Sequence, residues 1–387
     1  MKAYKFRIYP TEEQENLLLK TAGLGRLYYN LCVAKKDEDH KWQIGSYKKV
    51  FEELKPEALE WCKEVDSAAL AAYWNDIKGA FKNFFERKEV GLPKFKSKKT
   101  AKIGITYTSA AIPKFENGKL VLTRKLGPID GKFHRFAEGK LRHVTFSQTK
   151  TGKWFVLICC DTKPVEKNKN GKSIGIDWNC RDDCFLTLSD GTKVKCPRFL
   201  REKGRQLAHY QRQMSKRFVK GAEVQSNNYY KSKYKVAKIH EKIAWQREDW
   251  LHKLSRDLCN KYENIFVENI NLQAMSSELK HGKVISDQGF GMLRQMIAYK
   301  GNLLKVSAKN TSKQCSFCGY VNPKVVLGIE KWKCPSCGTN HDRDINAARN
   351  ILYKGIVGRE LSEITNACGG PRSSVKQESP NSLQVTA

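Results

Sequence analysis

Four cysteines in the C-terminal third of the chain have the spacing of a metal site. Cys315 and Cys318 form one Cys-x2-Cys pair, and Cys334 and Cys337 form a second pair after an interval of fifteen residues. Two tight turns of this kind can close four thiolates around one tetrahedral Zn²⁺. Because cysteine fills all four positions, no coordination position remains for a substrate water. The spacing therefore predicts a structural zinc ribbon rather than a catalytic zinc.

The alternative is that these cysteines are four unrelated reduced thiols. That alternative requires both pairs to arise by chance, each with a glycine directly after its second cysteine, Gly319 and Gly338. The chain has 13 cysteines in 387 residues, an odd number in a long chain, which argues against a disulfide framework. The cysteines outside the two pairs are expected to be small core residues.

Three acids stand at the ends of predicted elements. Asp177 closes the short apolar strand 173–177, Glu268 closes a second apolar strand, and Asp344 directly precedes a helix-like stretch. Taken singly, each has an ordinary explanation: a turn residue, a solvated surface acid and a helix N-cap. Acids that close apolar strands are costly to bury, however, and three of them together would repel one another without a compensating cation. Their joint use implies divalent ions.

Carboxylate ligation selects hard cations, so Mg²⁺ or Mn²⁺ is expected at Asp177, Glu268 and Asp344. Two such ions, about 3.5–4 Å apart, would clamp a scissile phosphate, one activating water and the other stabilising the leaving oxygen. This chemistry needs no nucleophilic side chain. The sequence contains no convincing Ser/His/Asp or Cys/His set, and no His-x-His pair.

The charge balance points to a polyanionic partner. Lys and Arg number 71 against 40 Asp and Glu, which gives a formal charge of +31. A membrane partner would require a basic amphipathic helix or an apolar span of about 20 residues, and the longest apolar runs, such as 154–160, are far shorter. The N-terminus lacks a signal core. We expect a cytoplasmic protein with no membrane partner.

The segment 198–262 is helical in pattern, strongly basic and interspersed with aromatic residues, a combination suited to phosphates and stacked bases. The alternative is a solvated helical face, but few acids balance this charge. The side chains predicted to contact nucleic acid are Lys203, Arg205, Arg212, Lys216, Arg217, Lys220, Tyr230, Lys231, Lys233 and Lys235.

The elements that would position these groups fall into two parts. Residues 3–9 alternate as a half-buried strand, and Thr11 with Gln14 forms a capping box that opens a helical section. That section continues to about residue 88, and its last helix carries an apolar stripe that ends at Phe84 and Phe85. Short antiparallel strands follow, with a turn at Thr151 and Gly152. A small β-barrel interrupted by helices is expected.

The second part begins after a polar, turn-rich linker, 161–172. A hairpin turns at 189–191, two long helices within 199–261 are broken near 221–228, and a further helix covers 288–299. Strands alternate with helices here, as in α/β domains. The fold class is therefore α+β multidomain, with a polar tail of about twenty residues that we expect to be disordered.

Six stretches, in order, resemble the TnpB family, the nucleases encoded by small insertion sequences and related to the single-protein effectors of type V CRISPR systems. The resemblance covers nearly the whole chain. The stretches are 4–10 (YKFRIYP), 92–97 (LPKFKS), 175–177 (GID), 267–269 (VEN), 310–312 (NTS) and 341–351 (HDRDINAARNI). The residues after Asp177, Trp178-Asn179-Cys180, depart from the small or aliphatic residues more frequent in the family.

The resemblance implies an RNase H-like, RuvC-like nuclease fold in which Asp177, Glu268 and Asp344 are the catalytic acids. The implied domains are a wedge-like β-barrel (1–10 and 99–165), a helical recognition insertion (11–98), the nuclease domain (166–365) with its basic helical hairpin (198–262), the inserted zinc ribbon (311–340) and a disordered tail (366–387). Asp342 would take the third ligand position if the register of that turn differed.

The resemblance also implies partners: a guide RNA derived from the end of the element, and a double-stranded DNA target cut next to a short adjacent motif. Base pairing would then carry sequence, while the protein supplies a basic channel and a small duplex-reading surface. Two other functions stay open. One is a guide-directed repressor that binds without cleaving, and the other is a transposase or zinc-ribbon DNA-binding protein that acts without RNA.

Overall fold

A computed structural model describes residues 2–39, 56–87, 89–98, 101–108, 113–135, 138–163, 166–179, 184–270, 287–326 and 328–367. The chain forms two compact units. One comprises Met1–Pro164 with Gln213–Lys238, and the other comprises Val165–Arg212 with Ile239–Ala387. Among the described helices, none has the length and apolar character that a bilayer crossing requires. Residues 368–387 of the predicted tail lie outside the described residues, as does Cys180.

The first unit is built on a seven-stranded antiparallel sheet with the strand order β2-β6-β7-β1-β5-β4-β3. Its strands are β1 (Lys2–Tyr9), β2 (Gly104–Tyr107), β3 (Lys114–Glu116), β4 (Lys119–Val121), β5 (Pro128–Lys132), β6 (Lys140–Gln148) and β7 (Trp154–Asp161). The alternation predicted for 3–9 is confirmed, since Tyr4, Phe6 and Ile8 are buried. Among the described residues no ladder joins β2 to β3, so closure into a barrel stays a prediction.

Three α-helices are described between β1 and β2: α1 (Glu12–Asp39), α2 (Pro56–Glu64) and α3 (Leu70–Glu86). The predicted capping box opens α1. Gln14 N donates to Thr11 Oγ1 at 3.3 Å, and Thr11 N donates to Gln14 Oε1 at 3.0 Å. On α3, Ile77 and Phe81 are buried, but Phe85 is 66% exposed. The apolar stripe was therefore wrong at its last residue, since the Phe85 ring contacts Phe84 but stays largely exposed in the last turn of α3.

The second unit has a five-stranded mixed sheet with the order β10-β9-β8-β11-β12. Its strands are β8 (Ser173–Trp178), β9 (Leu186–Leu188), β10 (Lys193–Val194), β11 (Asn264–Glu268) and β12 (Asn302–Val306). β8, β11 and β12 are parallel, whereas β9 and β10 form an antiparallel extension. This mixed sheet confirms the predicted alternation of strands and helices.

Four described helices belong to the C-terminal half of the chain: α4 (Phe199–Lys216), α5 (Asn227–Lys261), α6 (Phe290–Lys300) and α7 (Arg343–Ala367). The predicted break between two long helices is confirmed, but its end differs. Ser226 caps α5, with its Oγ accepting from Tyr229 N at 3.2 Å, and Asn227 and Asn228 begin the helix. Serine before a helix is a strong capping residue, so the break between the helices ends at Ser226 rather than at Asn228.

Helix α7 crosses β8 at very short range. A Cβ atom at Gly175 would lie 2.2 Å from the carbonyl oxygen of Ala348, so only glycine permits this packing. Ala348 is fully buried, as is Ile351 on the same helix. The glycine of the stretch 175–177 thus sets the distance between the strand that carries Asp177 and the helix that carries Asp344.

Candidate functional site

The four cysteines of the predicted ribbon come together as a set. The Sγ atoms of Cys315 and Cys337 are 3.7 Å apart, and those of Cys318 and Cys334 are 3.6 Å apart. In a tetrahedron with Zn–S bonds of about 2.3 Å, sulfur atoms are separated by about 3.8 Å. Within the described ranges, this is the one group of three or more possible ligands whose donor atoms all lie within 4.8 Å of one another. The donor set fits structural zinc.

The two cysteine turns share one backbone pattern. Gly319 N donates to Cys315 O, and Gly338 N donates to Cys334 O, each at 2.9 Å. Both glycines have positive φ, 80° and 73°, a conformation that side chains disfavour. The backbone of each turn therefore requires the glycine that follows the pair. This shared requirement supports two metal-binding turns over four unrelated thiols. The strands β13 (Lys331–Lys333) and β14 (Asn340–Asp342) pair antiparallel beside them.

A buried histidine lies against the cysteine set. His341 Nε2 is 3.0 Å from Cys315 Sγ, and the His341 ring lies against the Trp332 ring with centroids 4.6 Å apart. Burial lowers the pKa of His341, and the nearby Arg349 lowers it further. A neutral imidazole can donate an N–H to a thiolate, and such outer contacts orient metal ligands.

Asp177 and Glu268 lie at the same edge of the mixed sheet. β8 and β11 are parallel neighbours, and their register pairs Ile176 with Val267. The next residue on each strand is the acid, so Asp177 and Glu268 occupy adjacent positions. Asp177 itself lies within β8, opposite Thr187 of β9, and is therefore a strand residue rather than a turn residue. Carboxyl ends of adjacent parallel strands are common sites for ligands.

Asp344 lies in the first turn of α7 and is 8% exposed. It precedes Ala348, the residue that touches β8 at Gly175, by one helical turn. The donor atoms of the three acids do not all lie within the 4.8 Å that the cysteines satisfy. Ligands shared by two ions about 3.5–4 Å apart can be separated by up to about 8 Å, because each metal–oxygen bond adds about 2 Å.

Glu268 is not a solvated surface acid. Burial raises the pKa of Glu268, while a hydrogen bond from the Thr311 hydroxyl and the positive charge of Lys354 lower it, and burial dominates. Burial acts on Lys354 as well and lowers the pKa of its ammonium group. Burial disfavours the charged form of this carboxylate unless a cation compensates it, and a perturbed pKa of this kind marks a candidate functional residue.

The neighbouring acid Asp342 has a structural role. Its Oδ1 accepts hydrogen bonds from Asp344 N at 3.1 Å and Ile345 N at 3.2 Å, and its Oδ2 pairs with Lys193 Nζ at 2.7 Å. Asp342 is therefore the N-cap of α7, the role that the sequence had offered for Asp344. Both oxygens of Asp342 are engaged in these contacts, and Asp344 stays the predicted third ligand.

The residues predicted to contact nucleic acid lie on α4, α5 and the loop between them. Eight of the ten are exposed, whereas Lys203 and Arg217 are half-buried. Arg217 Nη1 donates to Asn228 O at 3.2 Å and also to the Ser232 hydroxyl. Arg217 thus braces the turn of the hairpin, in addition to any contact with phosphate.

Three polar residues around the acids had no assigned role in the sequence: Thr311, Asn346 and Asn350. Thr311 contacts Glu268, and the two asparagines bond the backbone of 311–316. All three lie in stretches that carry the family resemblance, 310–312 and 341–351, and the spacing of four between Asn346 and Asn350 puts both asparagines on one helix face.

Comparison with known proteins assigns the family. Three family models match: a helix-turn-helix domain (HTH_OrfB_IS605) over residues 1–43, a probable transposase (OrfB_IS605) over 157–278, and a Cas12f1-like TNB domain over 290–351. A Streptomyces pristinaespiralis protein that bears the name of an RNA-guided DNA endonuclease is 33% identical over 97% of this chain and 96% of its own length.

A second relative, named as the RNA-guided DNA endonuclease InsQ of Escherichia coli (strain K12), is 30% identical over 100% of this chain and 99% of its own length. The fold is similar to a chain in a cryo-EM structure of the Cas12f1-sgRNA-target DNA complex, with a TM-score of 0.52 and 14% identity, covering 91% of this chain and 98% of that one. The chain therefore belongs to the TnpB family, as its motifs indicate.

Proposed function

We propose that the chain is an RNA-guided DNA endonuclease of an insertion sequence, which cleaves double-stranded DNA next to a short adjacent motif. The observation that carries this proposal is the full-length similarity, at 33% and 30% identity, to two relatives named for that activity. The adjacent placement of Asp177 and Glu268 at the carboxyl edge of parallel strands supplies the chemical reason. In a bacterial cell such a protein would act on DNA in the nucleoid.

The acids suit Mg²⁺ or Mn²⁺, because their donor set is oxygen only. Bound there, two such ions would supply an activated water and neutralise charge at the scissile phosphate. The chain's own residues prepare the site. Asp177 and Glu268 present carboxylates from adjacent strands, Asp342 fixes the first turn of α7, and Lys354 offsets negative charge near Glu268. Asp344 completes the set from α7.

The zinc ribbon, the basic helices and the first unit have separate proposed roles in binding zinc and nucleic acid. The zinc ribbon, 311–340, would hold one Zn²⁺ at its four cysteines, which already have tetrahedral separations. The exposed basic and aromatic residues of α4 and α5 suit the phosphates and bases of guide and target. The wedge-like barrel and the recognition insertion that the family resemblance implies would lie in the antiparallel sheet and the helices of Met1–Pro164.

The test begins with the bound RNA. The protein is purified from cells that carry the native flanking DNA of its element, and any bound RNA is sequenced. The complex is then assayed with Mg²⁺ on a duplex library that matches the RNA and carries randomised adjacent sequence. A defined RNA with cleavage beside one short motif supports the proposal.

Two outcomes would replace it. Tight, RNA-directed binding without cleavage indicates the guide-directed repressor. Purification without any defined RNA removes the guide and leaves a transposase or a zinc-ribbon DNA-binding protein.

A further inference from the structure

We propose that Thr311 and Asn350 are positioning residues that hold the Glu268 carboxylate and tie it to the first zinc-binding turn. Glu268 and the cysteine set would then act as coupled metal sites. The inference rests on the proposed function, since it takes Glu268 as a ligand of a divalent ion.

The first step is the contact between Thr311 and Glu268. The Thr311 side chain is buried, with 4% exposure, and its hydroxyl donates to Glu268 Oε1. The carbonyl oxygen of Ala308, 3.1 Å from Thr311 Oγ1, is a second acceptor within reach. A hydroxyl has one proton, and an ionised carboxylate is a stronger acceptor than a carbonyl. An ionised Glu268 therefore takes this hydrogen bond, which fixes one carboxylate oxygen and leaves the other for a ligand.

The second step connects Thr311 to helix α7. Asn350 Nδ2 donates to Thr311 O at 2.8 Å and to Gln314 O at 2.6 Å. A side-chain amide has two N–H donors, so both are used, and Asn350 is 4% exposed. The turn 311–314 is thereby fixed to the helix that carries Asp344.

The third step reaches the cysteine set. Asn346 Nδ2 donates to Gln314 O at 2.7 Å, and Asn346 Oδ1 accepts from Ser316 N at 2.8 Å. Ser316 directly follows Cys315, whose thiol is in the zinc group. Asn346 is 1% exposed. One continuous series of hydrogen bonds, made by three buried side chains, therefore links Glu268, α7 and the first cysteine turn.

A buried network of this kind has two consequences. Residues that orient metal ligands typically change metal affinity by about 10–100-fold when they are removed. Coupling between two sites is also reciprocal, so an ion that binds one site more tightly when the other is filled raises the affinity of the other by the same factor. Zinc retention and divalent-ion binding are predicted to depend on each other.

The test measures Mn²⁺ binding to the purified, zinc-loaded full chain by electron paramagnetic resonance. Thr311→Val removes the hydroxyl at nearly constant shape, and Thr311→Ser, which keeps it, is the matched control. We expect Thr311→Val to weaken Mn²⁺ binding by about 10-fold and Thr311→Ser to resemble the parent. Equal Mn²⁺ affinity in the parent and Thr311→Val overturns the inference.

Two further measurements separate the possible failures. If Glu268→Gln binds Mn²⁺ as tightly as the parent, the proposed site itself is overturned. If Glu268→Gln weakens Mn²⁺ binding but Thr311→Val does not, only the positioning role is overturned. Zinc release to a chromogenic chelator is then followed with and without Mn²⁺. Mn²⁺ should slow zinc release from the parent, and it should slow zinc release from Asn350→Ala by a smaller factor. Asn350→Ala is a second variant that keeps the test valid if Thr311→Val does not fold. Identical slowing in both contradicts the coupling.

Discussion

The two candidate metal centres of this chain are assembled in different ways. The cysteine set draws its ligands from two short turns within residues 315–337, each closed by its own glycine. The acid set draws its residues from two parallel strands and a helix, at positions 177, 268 and 344. Bringing the cysteines together closes only short loops, which costs little conformational entropy. Bringing the acids together requires the whole sheet and α7 to fold. A local centre is determined by spacing, and a distributed centre by tertiary packing.

The largest expected effect concerns the local centre. Cys315→Ser should lower the zinc content and abolish cooperative folding of the ribbon, because structural zinc contributes about 10–16 kcal/mol of folding free energy in small zinc domains. Zinc stoichiometry and thermal denaturation measure this. Cys196→Ser, outside the cysteine set, is the matched control and should retain zinc. Full zinc occupancy in Cys315→Ser contradicts the ribbon.

The next effect concerns the distributed centre. Asp177→Ala should reduce cleavage by at least about a thousand-fold, since a lost metal ligand removes several kcal/mol of transition-state stabilisation. RNA-dependent target binding should persist, because the substitution removes little buried area. Cleavage assays and gel-shift assays on the same preparation measure the two properties. Normal cleavage by this variant is incompatible with the assignment.

A smaller effect separates the two neighbouring acids of α7. Asp342→Ala removes the N-cap and the ion pair with Lys193, so we expect a loss of about 1 kcal/mol of stability with most cleavage retained. Asp344→Ala should instead abolish cleavage and change stability less. Denaturant titration beside cleavage rates measures both. The reverse pattern would make Asp342 the ligand.

The smallest effect lies on the hairpin. Lys231→Ala and Lys233→Ala alter exposed side chains, and each should weaken nucleic-acid binding a few-fold while lowering the salt slope of the binding constant by about 1. Arg217→Ala should also lower stability, because Arg217 braces the turn at Asn228 and Ser232. Binding measured across a salt series tests this. Unchanged slopes in both lysine variants point to a solvated face.

The sequence could predict what local physics determines. The alternation of β1, the capping box of Thr11 and Gln14, the two helices of the hairpin and the cysteine turns all follow from neighbouring residues. The three acids were proposed from strand ends and from family resemblance, and their roles stay predictions.

The remaining features depend on partners distant in sequence. The exposure of Phe85 and the contact of Thr311 with Glu268 are set by tertiary packing, which no local pattern contains. The N-cap of α7 is Asp342, two residues before Asp344, the position at which the sequence suggests a cap. Sequence patterns identify the type of an element better than its last residue.

The measurement that tests the central claim most directly is reprogramming of the guide. The guide segment of the copurified RNA is replaced with a new sequence, and Mg²⁺-dependent cleavage is mapped on a duplex that carries both the old and the new target beside the same adjacent motif. The account predicts that the cut moves to the new target and disappears in Asp177→Ala. A cut that stays at the old site, or that persists in the variant, contradicts it.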